Sequence, residues 1–141
     1  ISIATTSLQN TNIGAGILAA KEELNSVRHR ENAGKALVLL TDGVPTLPEK
    51  VGVSDYPKTY ALEHAELARQ NGISLYTIGL GKNVDMNFLR RLATTTAEAY
   101  FAPSTKELNT IYNHIATNIC KKNLAKIDVY VRILPDRSFL R

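Results

Sequence analysis

Apolar positions along this chain change their period several times, and each change marks an element. Leu37, Val38, Leu39 and Leu40 are unbroken hydrophobics bounded by turn formers, a run that predicts a strand over 36–41. A strand apolar on both faces belongs in the middle of a parallel sheet covered by helices. "ISLYTIGLG" at 73–81 predicts a second buried strand, and "EAYFA" at 98–102 a short third one. Helical spacing appears first in Ile13, Ile17, Ala20, Leu24 and Val27, which make one apolar face. It returns over 59–70, with Ala61, Leu62, Ala65 and Ala68 inward, and Asn71-Gly72 is a strong stop because glycine readily takes the left-handed cap conformation. Asp85 can cap a short helix carrying Phe88, Leu89 and Leu92. Ser104 and Glu107 form a capping box in front of the stripe Leu108, Ile111, Tyr112, Ile115 and Ile119.

Residues 44–57 contain three prolines and read as a long surface loop, of the kind that is usually functional or mobile. The alternation of helix and strand from 13 to 119 is the signature of a parallel sheet with helices on its faces. A different rule governs "KIDVYVRILP". Ile127, Val129, Val131 and Ile133 alternate with Asp128, Tyr130 and Arg132, so this is a half-exposed strand stopped by Pro135. That switch places a boundary near 121–126. Residues 1–120 form the main unit, and 121–141 a tail whose amphipathic strand leads to a neighbouring domain or a sheet edge.

Composition narrows the class. The chain has 141 residues, 44% hydrophobic and 21% charged, an ordinary globular balance with enough length for about one domain. No apolar stretch approaches the roughly 18 residues a membrane helix needs. The net charge of +4 invites a nucleic-acid reading, but the basic residues sit in small separate groups: Arg28 to Arg30, Arg90-Arg91 and Lys121-Lys122. With no tryptophan and no RNA-binding signature, solvated helix faces account for them. The first residue is Ile1, so we expect a processed product, an excised piece or a fragment.

Cys120 is the only cysteine, so no disulfide within the chain and no cysteine-based metal cluster can form. On a helical pattern it reads most simply as a small buried hydrophobe. His29, His64 and His114 share no ligand spacing and read as surface or helix-face residues.

Chemistry concentrates at two stretches. Asp42 stands just past the carboxyl end of the 36–41 strand, where open α/β sheets place their ligands, although Asp42-Gly43 also starts a turn. In "TNIGAGI", Thr11 either caps the following helix or presents its hydroxyl to the cleft that holds Asp42. A hydroxyl beside a carboxylate suits Mg²⁺ or Mn²⁺ rather than zinc. Gly14, Gly16 and Ala19 formally match a dinucleotide fingerprint, but a polar loop, not a hydrophobic strand, precedes them. We expect these small residues to let the helix pack closely on the sheet. No nucleophile elbow, zinc-protease helix or phosphate loop is present, and Asp55 in the long loop reads as a turn residue.

Taken in order, "TNIGAGI", "LVLLTDGVP", "AELARQNGISLYTIGLG", "FLRRLATTT" and "FAPSTKELNTIYNHIATNIC" resemble the C-terminal part of a von Willebrand factor type A domain, over about residues 8–120. The resemblance implies a doubly wound α/β fold with a metal-ion-dependent adhesion site at the carboxyl ends of its strands. Thr11 and Asp42 match two of the family's metal ligands. The implied ion is Mg²⁺, Mn²⁺ or Ca²⁺, completed by an acidic group of a protein partner. This describes an extracellular or cell-surface adhesion module and not an enzyme; the alternative is a fragment of a Rossmann-like enzyme binding a nucleotide at the Gly14/Gly16 turn. The family's Asp-x-Ser-x-Ser motif is missing from this sequence. The strand that bears it belongs beside 36–41, so its absence predicts an open apolar edge, filled by a companion polypeptide or by self-association. Many extracellular members tie the domain ends by a disulfide, which would give Cys120 a partner outside this sequence.

Overall fold

A computed structural model describes residues 10–122 and, as backbone, the strand 127–134. Four parallel strands form one sheet. They are β1 (Gly34–Thr41), β2 (Ile73–Leu80), β3 (Ala99–Ala102) and β4 (Ile127–Leu134), in the spatial order β3-β2-β1-β4. The helices are α1 (Ile13–Leu24), α2 (Tyr56–Gln70), α3 (Met86–Leu92) and α4 (Leu108–Lys122).

The period of two in β1 and β2 divides the core into two layers. Leu37, Leu39, Ile73 and Leu75 pack with the buried faces of α1, α2 and α3. Ala36, Val38, Leu40, Tyr76 and Ile78 pack on the other side against Ile111, Ile115 and Ile119 of α4. Both faces of β1 are therefore covered, as its unbroken apolar run predicts. This is the expected α/β architecture, with helices on both faces of a parallel sheet.

Several boundaries differ from the sequence reading, each for a local reason. Helix α1 stops at Leu24, and Val27, which continues its apolar period, is fully exposed. Asn25 and Ser26 turn the chain there, with the Ser26 hydroxyl accepting from the Arg28 amide. Helix α2 begins at Tyr56, three residues early, because Pro57 suits the first helical turn, where its missing N–H has no partner to lose. Its end is as expected: Gly72 takes φ +74° immediately after Asn71. Asp85 caps α3 by accepting from the Phe88 amide at 3.0 Å. Glu107 reaches back to the amide and hydroxyl of Ser104, ahead of α4.

Two glycines are set by close approach. A Cβ on Gly14 would lie 2.2 Å from Tyr60 Cδ1 and 3.2 Å from Ala61 Cα, so Gly14 brings α1 against α2 and not, as expected, against the sheet. A Cβ on Gly79 would meet side chains of Leu89, Met86 and Val84, all at 2.9 Å, where α3 crosses β2.

Strand β4 corrects a further expectation. It lies parallel to β1 in continuous register, from Gly34 opposite Ile127 to Thr41 opposite Leu134. The edge of β1 expected to be open is thus paired within the chain. The half-exposed pattern of 127–134 accords with this place, since β4 ends the order β3-β2-β1-β4 and has one neighbour among the described residues. The boundary proposed near 121–126 falls largely on residues outside the described ones.

Asp85 supports a pH prediction. Its carboxylate also accepts from Lys58 Nζ at 2.8 Å, and this contact, followed by the Phe88 amide, holds its pKa below the ordinary aspartate value. The folded state therefore binds this proton less readily than the unfolded chain does. The resulting stabilisation is complete above the ordinary aspartate range and drains away as pH falls through it. Asp85→Asn keeps a cap acceptor but loses the charge, so we expect a loss below about 1 kcal/mol at pH 7. Urea melts between about pH 2 and 6 should show a flatter stability profile for the variant. An unchanged profile would remove Asp85 from the acid response.

Candidate functional site

In a parallel sheet all carboxyl ends lie at one end, and the loops leaving β1 and β2 meet there. Thr41, the last residue of β1, is fully buried, and its hydroxyl donates to the Gly43 carbonyl at 3.2 Å. This short side-chain turn bends the backbone at Asp42 and leaves its carboxylate exposed. The Asp-Gly turn and the delivery of a carboxylate to the strand end are therefore the same feature.

Thr11 is held against that loop by main-chain contacts. Its amide donates to Thr46 Oγ1 at 2.8 Å, and its carbonyl accepts from the amides of Thr46 at 2.8 Å and Leu47 at 3.1 Å. Thr11 Oγ1 lies 3.9 Å from the position a Cβ on Gly43 would take. The two candidate residues thus stand at adjacent loop tips, Thr11 buried and Asp42 exposed. Thr11 does not cap α1. Asn12 does, accepting from the Ala15 amide at 2.9 Å, which leaves the Thr11 hydroxyl out of the cap.

Thr41 and Thr46 went unnoticed in the sequence. Thr41 had a local signal, a hydroxyl two residues before a glycine at a strand end. Thr46 had none, because its contact spans 35 residues.

Beyond Thr46 the loop encloses a groove of about 890 Å³ lined by Thr46, Lys50, Val53 and Pro57. Val44, Val51 and Val53 are exposed on the same loop. Asp55, also exposed, makes no side-chain cap bond and serves the start of α2 through its carbonyl, which accepts from Thr59. His64 packs edge-on against Tyr60 and His114 against Tyr100, each on a helix and distant in sequence from the loops at the strand ends. Burial, and after it the charge of Lys21, lowers the pKa of His64. Cys120 is exposed and free, which corrects its reading as a buried hydrophobe.

Gly14 and Gly16 are both buried, and Gly14 is closed off by Tyr60. A phosphate cannot occupy the space the Tyr60 ring fills, so the nucleotide alternative loses its cradle.

A sequence profile of the von Willebrand factor type A domain matches residues 2–114. The chain belongs to this family. Human inter-alpha-trypsin inhibitor heavy chain H1 is 37% identical over 83 residues, covering 56% of this chain and 8% of that protein. The pig heavy chain H1 is 30% identical over 121 residues, covering 79% of this chain and 13% of that protein. The chain therefore spans a small part of the curated relatives it matches. Among solved structures, manganese-loaded TRAP protein of Plasmodium vivax superposes with a TM-score of 0.57 at 25% identity, covering 87% of this chain and 43% of that one. These likenesses support the fold expected from the motifs: a von Willebrand A sheet with its loops gathered at the carboxyl ends.

Whether a divalent cation suits the residues present is a question of donor count. Thr11 Oγ1 and the Asp42 carboxylate are hard oxygen donors of the right type. Such an ion takes about six oxygens, and Mg²⁺ in particular demands near-octahedral geometry. Among the described residues no group of three or more His, Cys, Asp or Glu side chains could hold a metal. The chemistry of the two donors fits a hard cation, but their number does not make a resident site.

Proposed function

We propose that this chain is a protein-binding module whose partner docks on the loops at the carboxyl ends of β1 and β2. The observation that carries this reading is the fastening of Thr11 to the loop of Thr46 and Leu47, which keeps buried Thr11 against the Gly43 turn that follows exposed Asp42.

Thr11 and Asp42 are the oxygen donors this chain offers to Mg²⁺, Mn²⁺ or Ca²⁺. Further oxygens, including an acidic group of the partner, complete the shell. The exposed valines at 44, 51 and 53 lie on the loop that follows Asp42 and give a partner apolar area to cover. An ion-bridged acidic contact fixes orientation, while apolar contact supplies area. We place such a module outside the cell or at its surface.

Mn²⁺ tests the location directly, because its paramagnetism broadens the amide signals of nearby residues. In the full chain we expect millimolar Mn²⁺ to broaden Thr11, Asp42 and Gly43 selectively. Asp42→Ala should abolish the effect while leaving the thermal midpoint within about 2 °C, since an exposed loop carboxylate packs little. Broadening centred elsewhere, or unchanged by Asp42→Ala, would refute the assignment.

A further inference from the structure

The two edges of this sheet are unequal. Strand β3 closes one side with four residues, a short edge of the kind that resists further pairing. Strand β4 closes the other with eight, and among the described residues no strand lies beyond it. Its inner edge is used along its whole length by β1. Alternate backbone N–H and C=O groups on its outer edge therefore point away from the sheet. No proline, glycine or lysine interrupts 127–134.

The sequence of this edge is self-complementary. About Tyr130, the run Ile127-Asp128-Val129-Tyr130-Val131-Arg132-Ile133 carries the same apolar residues at equal distances on either side, and opposite charges at the one charged pair. We propose that β4 is a homodimerisation edge, pairing antiparallel with β4 of a second copy about a two-fold axis through Tyr130. In that register Ile127 stands opposite Ile133, Val129 opposite Val131, and Asp128 opposite Arg132 of the second copy. The charge pair occurs twice per interface because the contact is isologous. A parallel in-register pairing would instead set Asp128 beside Asp128 and Arg132 beside Arg132. The dimer joins two four-stranded sheets into one of eight strands, and a two-fold contact closes without propagating into fibres. This inference is independent of the cation reading, since it uses the opposite side of β4 from the one that meets β1.

The full 141-residue chain should show a monomer–dimer equilibrium in sedimentation velocity over a range of concentrations. Asp128→Arg and Arg132→Asp each place like charges opposite one another twice, and each should weaken association at least about tenfold. The double variant D128R/R132D restores both pairs and should return the dimer to near wild-type strength. Far-UV circular dichroism and thermal melts establish that each variant folds. A second measurement does not depend on charge reversal. Tyr130→Cys in a Cys120→Ser background puts two thiols directly opposite in the proposed register, and mild oxidation should yield a covalent dimer. A chain monomeric at all concentrations would overturn the proposal. So would association indifferent to the single reversals, failure of the double variant to recover, or failure of the Tyr130→Cys chain to cross-link.

Discussion

Leu39→Ala should destabilise the protein by about 2–5 kcal/mol, the largest effect we expect from a single side-chain truncation. Leu39 is 1% exposed, lies in the middle of β1, and packs in the layer shared with α1, α2 and α3. Truncation removes three buried carbons and leaves a cavity in a core layer to which three helices contribute. The functional consequence follows from position. Asp42 is three residues further along the same strand end, so a loosened β1 also loosens the loop to which Thr11 is fastened. Urea denaturation should show a lowered midpoint with an unchanged slope. A loss under about 1 kcal/mol would mean that the layer collapses around the cavity, and that β1 is less constrained than its burial indicates.

Gly14→Val should be the next most damaging change, costing about 1–3 kcal/mol through overpacking. The first added carbon already falls within 2.2 Å of the Tyr60 ring, and the backbone of Ala61 stands behind it. Tyr60 can swing outward, but Ala61 cannot move without carrying α2. Relief therefore comes from sliding the first turn of α1, which directly follows Thr11 and Asn12. We expect Gly14→Val to lower the melting midpoint and also to weaken Mn²⁺ broadening at Thr11 more than at Asp42. Tyr60→Ala in the same chain should recover part of the loss by vacating the ring's space. Without any such recovery, the close contact with Tyr60 is not what the glycine serves.

Periodicity made the main architecture legible. The apolar runs of β1 and β2 and the stripes of α2 and α4 record burial of each residue's own side chain, and burial follows from which face a local period presents. The same holds for Asp85 and Gly72, where a cap and a turn are settled by backbone groups within a few residues. Asp42 was legible for a related reason, as a carboxylate at the end of a run that must be central.

Tertiary structure alone decided the rest, because it depends on groups far apart in the chain. The pairing of Thr11 with Thr46 links positions 35 residues apart, and neither side chain carries a mark of it. Gly14 looks like a residue that approaches a sheet or a phosphate until Tyr60 is seen lying over it. Val27 keeps the helical period of α1, yet the backbone turns before reaching it, since period reports which face a residue would occupy and not where a helix ends. The neighbour of β1 is the clearest case. Alternation in 127–134 states that the strand has one apolar face, but which strand it joins is set by the competition of edges for backbone hydrogen bonds. That choice is invisible to side-chain pattern, and it places β4 beside β1 at the end of the described sheet.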